Sequence, residues 1–359
     1  FTHHGREFLT TSSCYARDKW IADQLQYRIS QPHHGGFPEL PSVSQRLIPQ
    51  QKLPYAALCA NPNSLLIGPP GTGKTFIIDA LVKTAMAHDP SIKVRLAAPT
   101  AKAASRRTEA VGIEATTIHR LLGSKGPQGW THHFRNQLDC DLLIIDELSM
   151  VDAYLFAAIL AATPAQCALL LAGDGDQIKS VGQGNVIRDL SLSKVIPTVE
   201  LTEPVRFGSR SPITHAAQDA LRAQPLSLPK GVPTDQDTSF QIQSDSAADL
   251  VETLVNIVEP MSIPERLQTR IVSPFRAGMT GIQNLNTVVQ PFMNPLMATG
   301  KQAPELDFLC EKDRVIVTRN LHDLSVFNGQ NGYVSKVHSD NTCTVNLMGK
   351  SVLFTQANM

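Results

Sequence analysis

The amino-acid sequence predicts an α/β fold in which a parallel sheet is covered by helices on both faces and followed by a smaller antiparallel β-region. Three observations predict this class. Short apolar runs alternate with helix-like stretches, a glycine-rich phosphate-binding pattern follows the first run, and short alternating strands with turn signals appear near the end of the chain.

Four short runs are apolar on both faces, and each ends in Gly, Pro or Asp. They cover residues 64–67, 94–98, 142–145 and 168–172. Runs of this kind, separated by helical stretches, are typical of a parallel sheet that is buried on both sides. Residues 198–201 and 269–272 are two further strand candidates.

The flanking segments have a different texture. Residues 18–29 carry apolar side chains at helical spacing and predict one amphipathic helix. Residues 224–246 are rich in Pro, Ser, Gln and Asp and predict a linker or surface excursion. After about residue 306, alternating short strands with turn signals at Asn328-Gly329 and Asn331-Gly332 predict a small antiparallel barrel.

Composition limits the function classes. The chain has 359 residues, of which 42% are hydrophobic and 18% charged, so we expect two or three globular domains. Lys and Arg number 32, as do Asp and Glu, and the resulting formal net charge of zero argues against a protein that coats DNA non-specifically. Any nucleic-acid contact must therefore come from a local groove. No apolar run reaches membrane-spanning length, so we expect no membrane partner.

Cysteine and histidine usage suggests no metal centre. The six cysteines are scattered without a C-x-x-C pair, which favours a reduced, cytoplasmic protein. The pairs His3-His4, His33-His34 and His132-His133 lack the regular spacing and partner ligands of a zinc site. We interpret them as solvated loop residues.

A phosphate-binding loop follows the first predicted strand. Gly68-Pro69-Pro70-Gly71-Thr72-Gly73-Lys74-Thr75 fits the pattern G-x-x-x-x-G-K-[ST], with a helix predicted over residues 76–87. Such glycines let backbone N–H groups converge on phosphate oxygens at a helix N-terminus. Lys74 is expected to reach the β- and γ-phosphates, and the Thr75 hydroxyl to ligate Mg²⁺. The alternative is a glycine-rich turn without a ligand, which the correct flanking structure disfavours.

A carboxylate pair completes the predicted P-loop NTPase site. The run 142–145 delivers Asp146 and Glu147 at its C-terminal end, beside Lys74. Asp146 is expected to bind Mg²⁺ and Glu147 to act as general base toward water. A helix N-cap is the alternative for a lone Asp-Glu pair. Gln177, after the run 168–172, could sense the γ-phosphate, although Gly173-Asp174-Gly175-Asp176 is also ordinary turn sequence.

These blocks, in this order, resemble the RecD-like DNA helicases of superfamily 1B. The resemblance implies that Gln51 reads adenine and that Gln177 is the coupling residue of its family block, 173–184. It further implies that Arg206 contacts the γ-phosphate from a second motor domain. It also implies a role in binding single-stranded DNA for residues of two further blocks, 98–104 and 117–123: Pro99, Thr100, Lys102, His119 and Arg120. Ala101, Leu148 and Lys179 are mild departures from the family pattern.

The resemblance implies two RecA-like parallel-sheet motor domains with a small antiparallel β-barrel insertion. We expect a remnant of an N-terminal domain and linker at 1–45, the P-loop ATPase domain at 46–205, the first part of the second RecA-like domain at 206–305, and an SH3-like barrel at 306–359. The family pattern continues into two further blocks after this point, so the chain is interpreted as incomplete. Alone, it is expected to bind ATP but to hydrolyse it poorly.

The function implied is ATP-dependent movement, 5′→3′, along single-stranded DNA in DNA repair, recombination or foreign-DNA processing. ATP and Mg²⁺ are the implied cofactors, and subunits of a nuclease complex are further implied partners. Local charge would come from Lys102, Arg106, Arg107 and Arg120, for which a solvated helix face is the alternative. Two other functions stay open: an ATP-binding regulatory or clamp subunit without unwinding activity, and a P-loop ATPase unrelated to nucleic acid.

Overall fold

The computed structural model describes most of the chain, in two compact units at Phe1–Leu226 and Ser227–Met359. The described residues are 2–3, 6–7, 10–31, 36–203, 205, 212–226, 228, 244, 246–294, 296, 302–303, 309–319, 321–324, 326, 328–340, 342–347 and 349–355. Each unit is described by itself.

The first unit is built on a six-stranded parallel sheet. A short antiparallel pair comes first in the chain, β1 (Thr2–His3) with β2 (Arg6–Glu7). The sheet strands are β3 (Ser64–Ile67), β4 (Val94–Ala98), β5 (Ala115–Thr117), β6 (Leu142–Ile145), β7 (Ala168–Gly173) and β8 (Thr198–Glu200). They lie in the order β5-β4-β6-β7-β3-β8, and every neighbouring pair is parallel.

Helices cover both faces of this sheet. The helices of this unit are α1 (Ser12–Ser30), α2 (Pro41–Ser44), α3 (Pro49–Ala60), α4 (Lys74–His88), α5 (Ala101–Val111), α6 (Ile118–Leu121), α7 (Ala153–Ala162), α8 (Val186–Ser193) and α9 (Pro212–Leu221). Alternate residues of β6 enter different apolar cores: Leu143 packs in one and Leu142 in the other. This two-sided burial is why the strand sequence is apolar throughout.

Helix α1 begins earlier than the predicted range 18–29. The Thr11 side chain caps it by accepting a hydrogen bond from the Cys14 N–H at 3.3 Å. Near its other end, the buried Arg28 guanidinium donates hydrogen bonds to the carbonyls of Thr163, Pro164 and Cys167 at 2.7–3.0 Å. These bonds attach α1 to the loop that precedes β7.

The strand order places β7 between the P-loop strand β3 and the strand β6 that carries Asp146. One strand thus lies between the strands that lead to Lys74 and to Asp146, whose charges still interact. The residue that directly follows β7, Asp174, occupies the intermediate position. All these strands are parallel, so their carboxyl ends meet at one edge of the sheet.

Two strand expectations need correction. Strand β5 was not predicted, because three residues, Ala115–Thr117, are too few and too polar to show a pattern; it exists by pairing with β4. Residues 269–272 form no strand, and Val272 is exposed. An apolar run becomes a strand only beside a partner, and no strand pairs with this run in the described part of the second unit.

The described part of the second unit holds three helices and two antiparallel sheets. The helices are α10 (Ala247–Val258), α11 (Ile263–Gln268) and α12 (Ile282–Met293), and the strands are β9 (Gln302–Ala303), β10 (Leu309–Cys310), β11 (Arg314–Ile316), β12 (Asn331–Val337), β13 (Cys343–Leu347) and β14 (Lys350–Phe354). Strands β11 to β14 form a ladder in chain order. The α/β P-loop class with a separate small antiparallel sheet is thus confirmed.

One turn signal in this sheet was wrong. Asn331 and Gly332 lie inside β12, paired with Ile316 and Val315, and do not form a turn. A Cβ on Gly332 would collide with the Asn346 carbonyl of the neighbouring strand, so the glycine serves a close approach of two backbones. Gly329, in contrast, has φ +87° and occupies the expected turn.

A buried carboxylate connects α12 to this region of the second unit. Asp313 accepts hydrogen bonds from Gln290 Nε2 at 2.6 Å and from Asn294 Nδ2 at 2.7 Å, and also from the Cys310 N–H. Most of the predicted linker 224–246 lies outside the described residues. The assignment of 206–305 to a second RecA-like domain and of 306–359 to an SH3-like barrel, like the other domain boundaries, stays a prediction.

Candidate nucleotide-binding site

The P-loop connects β3 to α4 at the carboxyl edge of the sheet. The helix begins at Lys74, and Gly73 precedes it in the left-handed region at φ +93°. Gly71 also has a positive φ of 80°. The buried Thr72 hydroxyl donates to the Pro69 carbonyl at 2.9 Å and braces the loop. Observed helix bounds differ from the predicted 76–87 by two residues at the start and one at the end.

The glycines of the loop are required by close contacts. A Cβ on Gly68 would lie 2.6 Å from the Leu201 carbonyl, and one on Gly73 would collide with the Gln51 side-chain amide. Gln51 is buried, and its Oε1 accepts from the Ile48 N–H at 3.4 Å. The predicted adenine-reading side chain is therefore held against the loop itself, and Pro70 and Gly71 complete the turn.

Gly73→Ala is expected to weaken nucleotide binding strongly, since it adds both a left-handed alanine and a clash with Gln51. Gly112→Ala is the matched control: Gly112 has φ +78°, but a Cβ there meets nothing within 4 Å. Strain of this kind costs about 1–2 kcal/mol in either variant. Titration with a fluorescent ADP analogue measures the difference. Equal affinities for the two variants would show that the contact with Gln51 is unimportant.

Lys74 is half-buried, and its side chain folds over the loop. Its Nζ donates to the carbonyls of Gly68 and Pro69, the latter at 3.0 Å. Burial lowers the pKa of Lys74 from its ordinary value, and the negative charges of Asp174, Asp146 and Glu147 oppose that shift. The ammonium thus lies within the electrostatic reach of three carboxylates that follow two other strands.

The predicted carboxylate pair is present at the end of β6. The Asp146 side chain is fully buried, and its Oδ1 accepts from the Glu147 N–H at 2.9 Å. Burial raises the pKa of Asp146, with Arg107 opposing the shift, and burial together with Asp146 raises that of Glu147. Glu147 has φ 55°, a left-handed conformation that is uncommon outside glycine. Such a backbone is typical of functional positions.

The next strand supplies two more polar groups. Asp174 is buried directly after β7, and its Oδ1 accepts from the Asp176 N–H at 3.0 Å. Gln177 is exposed, and its Oε1 accepts from the Ser149 hydroxyl at 3.4 Å. Because Ser149 follows Glu147 in a short 3-10 helix, Leu148–Met150, this bond ties Gln177 to the carboxylate segment.

The residues present fit a nucleotide phosphate with Mg²⁺. Glycines leave space that a Cβ would fill, and the half-buried Thr75 hydroxyl with the Asp146 carboxylate are hard oxygen ligands of the kind that Mg²⁺ prefers. No cluster of three or more His, Cys, Asp or Glu ligands exists among the residues that the structure describes.

The residues predicted to bind DNA lie at the same edge of the sheet. Ala98 and Thr117 are register partners at the ends of β4 and β5, so the two predicted blocks continue from adjacent points. Pro99 and Thr100 are half-buried, and the Thr100 hydroxyl caps α5 by accepting from the Ala103 N–H at 3.2 Å. Lys102 is exposed on that helix.

His119 and Arg120 are exposed on α6. Arg120 Nη2 lies 4.0 Å from the exposed Glu114 carboxylate. The His119 ring packs against the Trp130 ring with 5.5 Å between centroids, and Trp130 in turn lies 6.4 Å from Tyr154. We call these three side chains the aromatic row. Sequence reasoning could not find it, because the rings come from three separate segments.

Two other site residues were missed or misassigned. Arg107 was counted among the basic groups of a DNA-facing or solvated surface, but its side chain turns inward to Asp146 and Glu147. Asp174 was treated as turn sequence, yet it is buried beside Lys74. The one sequence signal for Asp174 is its position just after the predicted strand 168–172, where a side chain reaches the carboxyl edge of the sheet. Arg206 lies outside the described residues.

No helix in the described part of the chain has the length and apolar character needed to cross a membrane.

Comparison with known proteins identifies relatives of this chain. A family model described as an AAA domain matches residues 46–230. The chain is 34% identical over 303 residues to the ATP-dependent RecD2 DNA helicase of Deinococcus radiodurans, which covers 82% of this chain and 39% of that protein. It is 28% identical over 366 residues to the RecBCD enzyme subunit RecD of Mycolicibacterium smegmatis, covering 89% of this chain and 63% of the subunit.

A solved structure of two coordinating Pif1 helicases that unwind forked double-stranded DNA aligns with 86% of this chain and 76% of its own, at 18% identity and a TM-score of 0.47. The chain spans less than two thirds of either curated relative. The AAA-domain match covers more than half of the chain. This chain belongs to the RecD-like helicases of superfamily 1B.

Proposed function

We propose that this chain is the ATP-hydrolysing motor portion of a RecD-type DNA helicase that translocates 5′→3′ on single-stranded DNA. One observation carries the proposal: the parallel neighbours β3, β7 and β6 end at one edge of the sheet, where Lys74 follows β3, Asp174 follows β7, and Asp146 and Glu147 follow β6. The relatives named ATP-dependent RecD2 DNA helicase and RecBCD subunit RecD support it, and the direction rests on the family resemblance alone.

In this proposal, the triphosphate of ATP occupies the P-loop, and Lys74 exchanges the carbonyls of Gly68 and Pro69 for phosphate oxygens. Thr75 and Asp146 would hold Mg²⁺, which would neutralise the charge that develops on the phosphate oxygens. Gln51, packed on Gly73, is positioned to contact the adenine.

Glu147 acts as the general base toward the attacking water. Its side chain is 30% exposed, so water reaches it, whereas the Asp146 side chain is 1% exposed. Burial raises the pKa of Glu147 and makes the carboxylate a better proton acceptor.

Gln177 and Arg206 would connect hydrolysis to motion. Gln177 is bonded to Ser149, so a change at the carboxylate segment reaches Gln177 directly. Arg206, as the family arginine of the second motor domain, would contact the γ-phosphate when ATP is bound; such arginines contribute about 10³–10⁵ in rate. Closing around ATP and reopening after hydrolysis would move the strand.

Single-stranded DNA would lie along the edge formed by Pro99, Thr100, Lys102, His119 and Arg120. The aromatic row adds ring faces, and Tyr154 is 57% exposed. Base stacking on such faces contributes about 1–3 kcal/mol for each base and tolerates any sequence. The segment 115–138 contains Arg120, Lys125 and Arg135 and no acidic residue, which supplies a local positive charge in a chain of zero net charge.

Nuclease-complex subunits are the further partners we propose, because several relatives are subunits of the RecBCD enzyme.

The six cysteines are all free thiols: Cys14, Cys59, Cys140, Cys167, Cys310 and Cys343. Free thiols, including two sulfurs 3.4 Å apart at Cys140 and Cys167, suit the reducing cytoplasm, where we place the protein.

The test is ATP turnover by the full-length protein with and without oligo(dT), together with unwinding of duplexes that carry a single-stranded tail at either the 5′ or the 3′ end. We expect stimulation of ATP turnover by oligo(dT) and unwinding of the 5′-tailed duplex only. Stimulation without strand separation would identify a regulatory or clamp subunit instead. Turnover that ignores oligo(dT) would identify an ATPase unrelated to nucleic acid.

A further inference from the structure

The Arg107 side chain points toward the carboxylates of the candidate site, and not toward the surface where the sequence analysis placed it. Arg107 is near the end of α5, and its side chain is 13% exposed. Its Nε contacts Asp146 Oδ2, and its Nη2 lies 3.8 Å from Glu147 Oε1. The guanidinium therefore faces both carboxylates to which we assign the metal and the general base.

Two groups lie against the Asp146 carboxylate. Oδ1 accepts the N–H of the adjacent residue Glu147. Oδ2 is paired with Arg107. Burying a carboxylate away from water disfavours its charged form, so the Arg107 guanidinium stabilises Asp146 in that form.

This pairing conflicts with metal binding at the same group. A water molecule held by Mg²⁺ would need an acceptor oxygen on Asp146; Oδ1 already accepts one N–H, so Oδ2 is the freer acceptor once Arg107 moves away. The contact at Oδ2 comes from a long flexible side chain on another element, so it is the contact that can be given up. Mg²⁺ carries the larger charge and replaces the neutralisation that the guanidinium provides.

We propose that Arg107 occupies the Asp146 oxygen used by the metal, and that it is exchanged for Mg²⁺ when the nucleotide binds. The inference rests on the proposed function, since it assumes a P-loop nucleotide site. Its consequence is a threshold: the ion pair protects the buried carboxylates while the metal is absent, and it raises the Mg²⁺ concentration that nucleotide binding requires.

Arg106 provides a matched control. It is adjacent on α5, is the same residue type and is exposed. Arg107→Met keeps most of the apolar stem and removes the guanidinium, and Arg106→Met does the same on the surface. Arg107→Lys retains a positive charge but shortens the reach and removes the planar fork.

The experiment titrates a fluorescent ADP analogue at a series of buffered free Mg²⁺ concentrations. For Arg107→Met we expect the Mg²⁺ concentration at half-maximal binding to fall about tenfold, within the range of typical coupling between two sites. Arg106→Met should match the wild type, and Arg107→Lys should lie between them. Without Mg²⁺, the thermal unfolding midpoint of Arg107→Met should be lower than that of the wild type. Saturating Mg²⁺ and ADP should reduce this difference between the two midpoints.

An unchanged or increased Mg²⁺ requirement in a folded Arg107→Met protein would overturn the exchange and leave Arg107 with a purely structural role. If that variant fails to fold, an unchanged requirement in Arg107→Lys overturns it equally. Failure of the proposed function looks different: the wild type itself would then bind no nucleotide at any Mg²⁺ concentration.

Discussion

Lys74→Ala is expected to reduce ATP turnover by about 10²-fold or more, the usual effect of removing one preorganised donor from a site of developing charge. Lys74 is the one P-loop side chain that combines a positive charge with hydrogen bonds to the loop carbonyls. Nucleotide affinity should fall as well, because the β- and γ-phosphates lose their cation. Steady-state turnover and ADP-analogue titration measure the two effects separately.

Lys52→Ala is the control for this variant, because Lys52 is an exposed lysine on α3, the helix that carries Gln51. It should behave as the wild type in both measurements. Thermal unfolding should show that Lys74→Ala remains folded, since the side chain takes part in no apolar core. Normal turnover by Lys74→Ala would refute the assignment of the P-loop as the catalytic site.

Glu147→Gln is expected to separate binding from chemistry. Removing the general base should lower turnover by about 10²–10⁴-fold, while nucleotide affinity stays near that of the wild type. The substitution is nearly isosteric and keeps the backbone N–H that Asp146 accepts. It also removes one negative charge near Asp146, and burial of that charge is the main cause of the raised pKa of Glu147.

Glu109→Gln is the matched control, because Glu109 is exposed on α5 and far along that helix from the P-loop contacts. It should leave turnover unchanged. Single-turnover measurements with preloaded ATP would show whether the loss in Glu147→Gln lies in the chemical step. A variant that binds ATP weakly but turns over bound ATP at the normal rate would contradict the role of general base.

The chemical identity of the site could be predicted because its signals are local. A P-loop is one continuous segment, and its glycines answer to contacts and backbone angles within or beside that segment, as at Gly73. Asp146 and Glu147 follow the strand Leu142–Ile145. Its four successive apolar residues predict burial on both faces of the strand. Strand and helix bounds around them were correct to within two residues.

The errors share a different cause. Residues 269–272 have the composition of a strand but no described strand partner, and Asn331-Gly332 has the composition of a turn but lies in β12. Composition describes what a segment tolerates, whereas pairing with a distant segment decides what it forms. The start of α1 moved for a local reason that was overlooked, the cap at Thr11.

The sequence by itself determined the phosphate loop, the carboxylate pair, the alternation of strands and helices, and the family. Only the tertiary structure decided that β7 lies between β3 and β6 and that Asp174 therefore lies near the P-loop. It also brought the rings of His119, Trp130 and Tyr154 into one row. Likewise, it turned the Arg107 side chain toward Asp146 and not toward solvent. The physical reason is range. Local patterns follow from the chain's own periodicity, but the direction of a long charged side chain depends on which buried charge the fold brings within its reach.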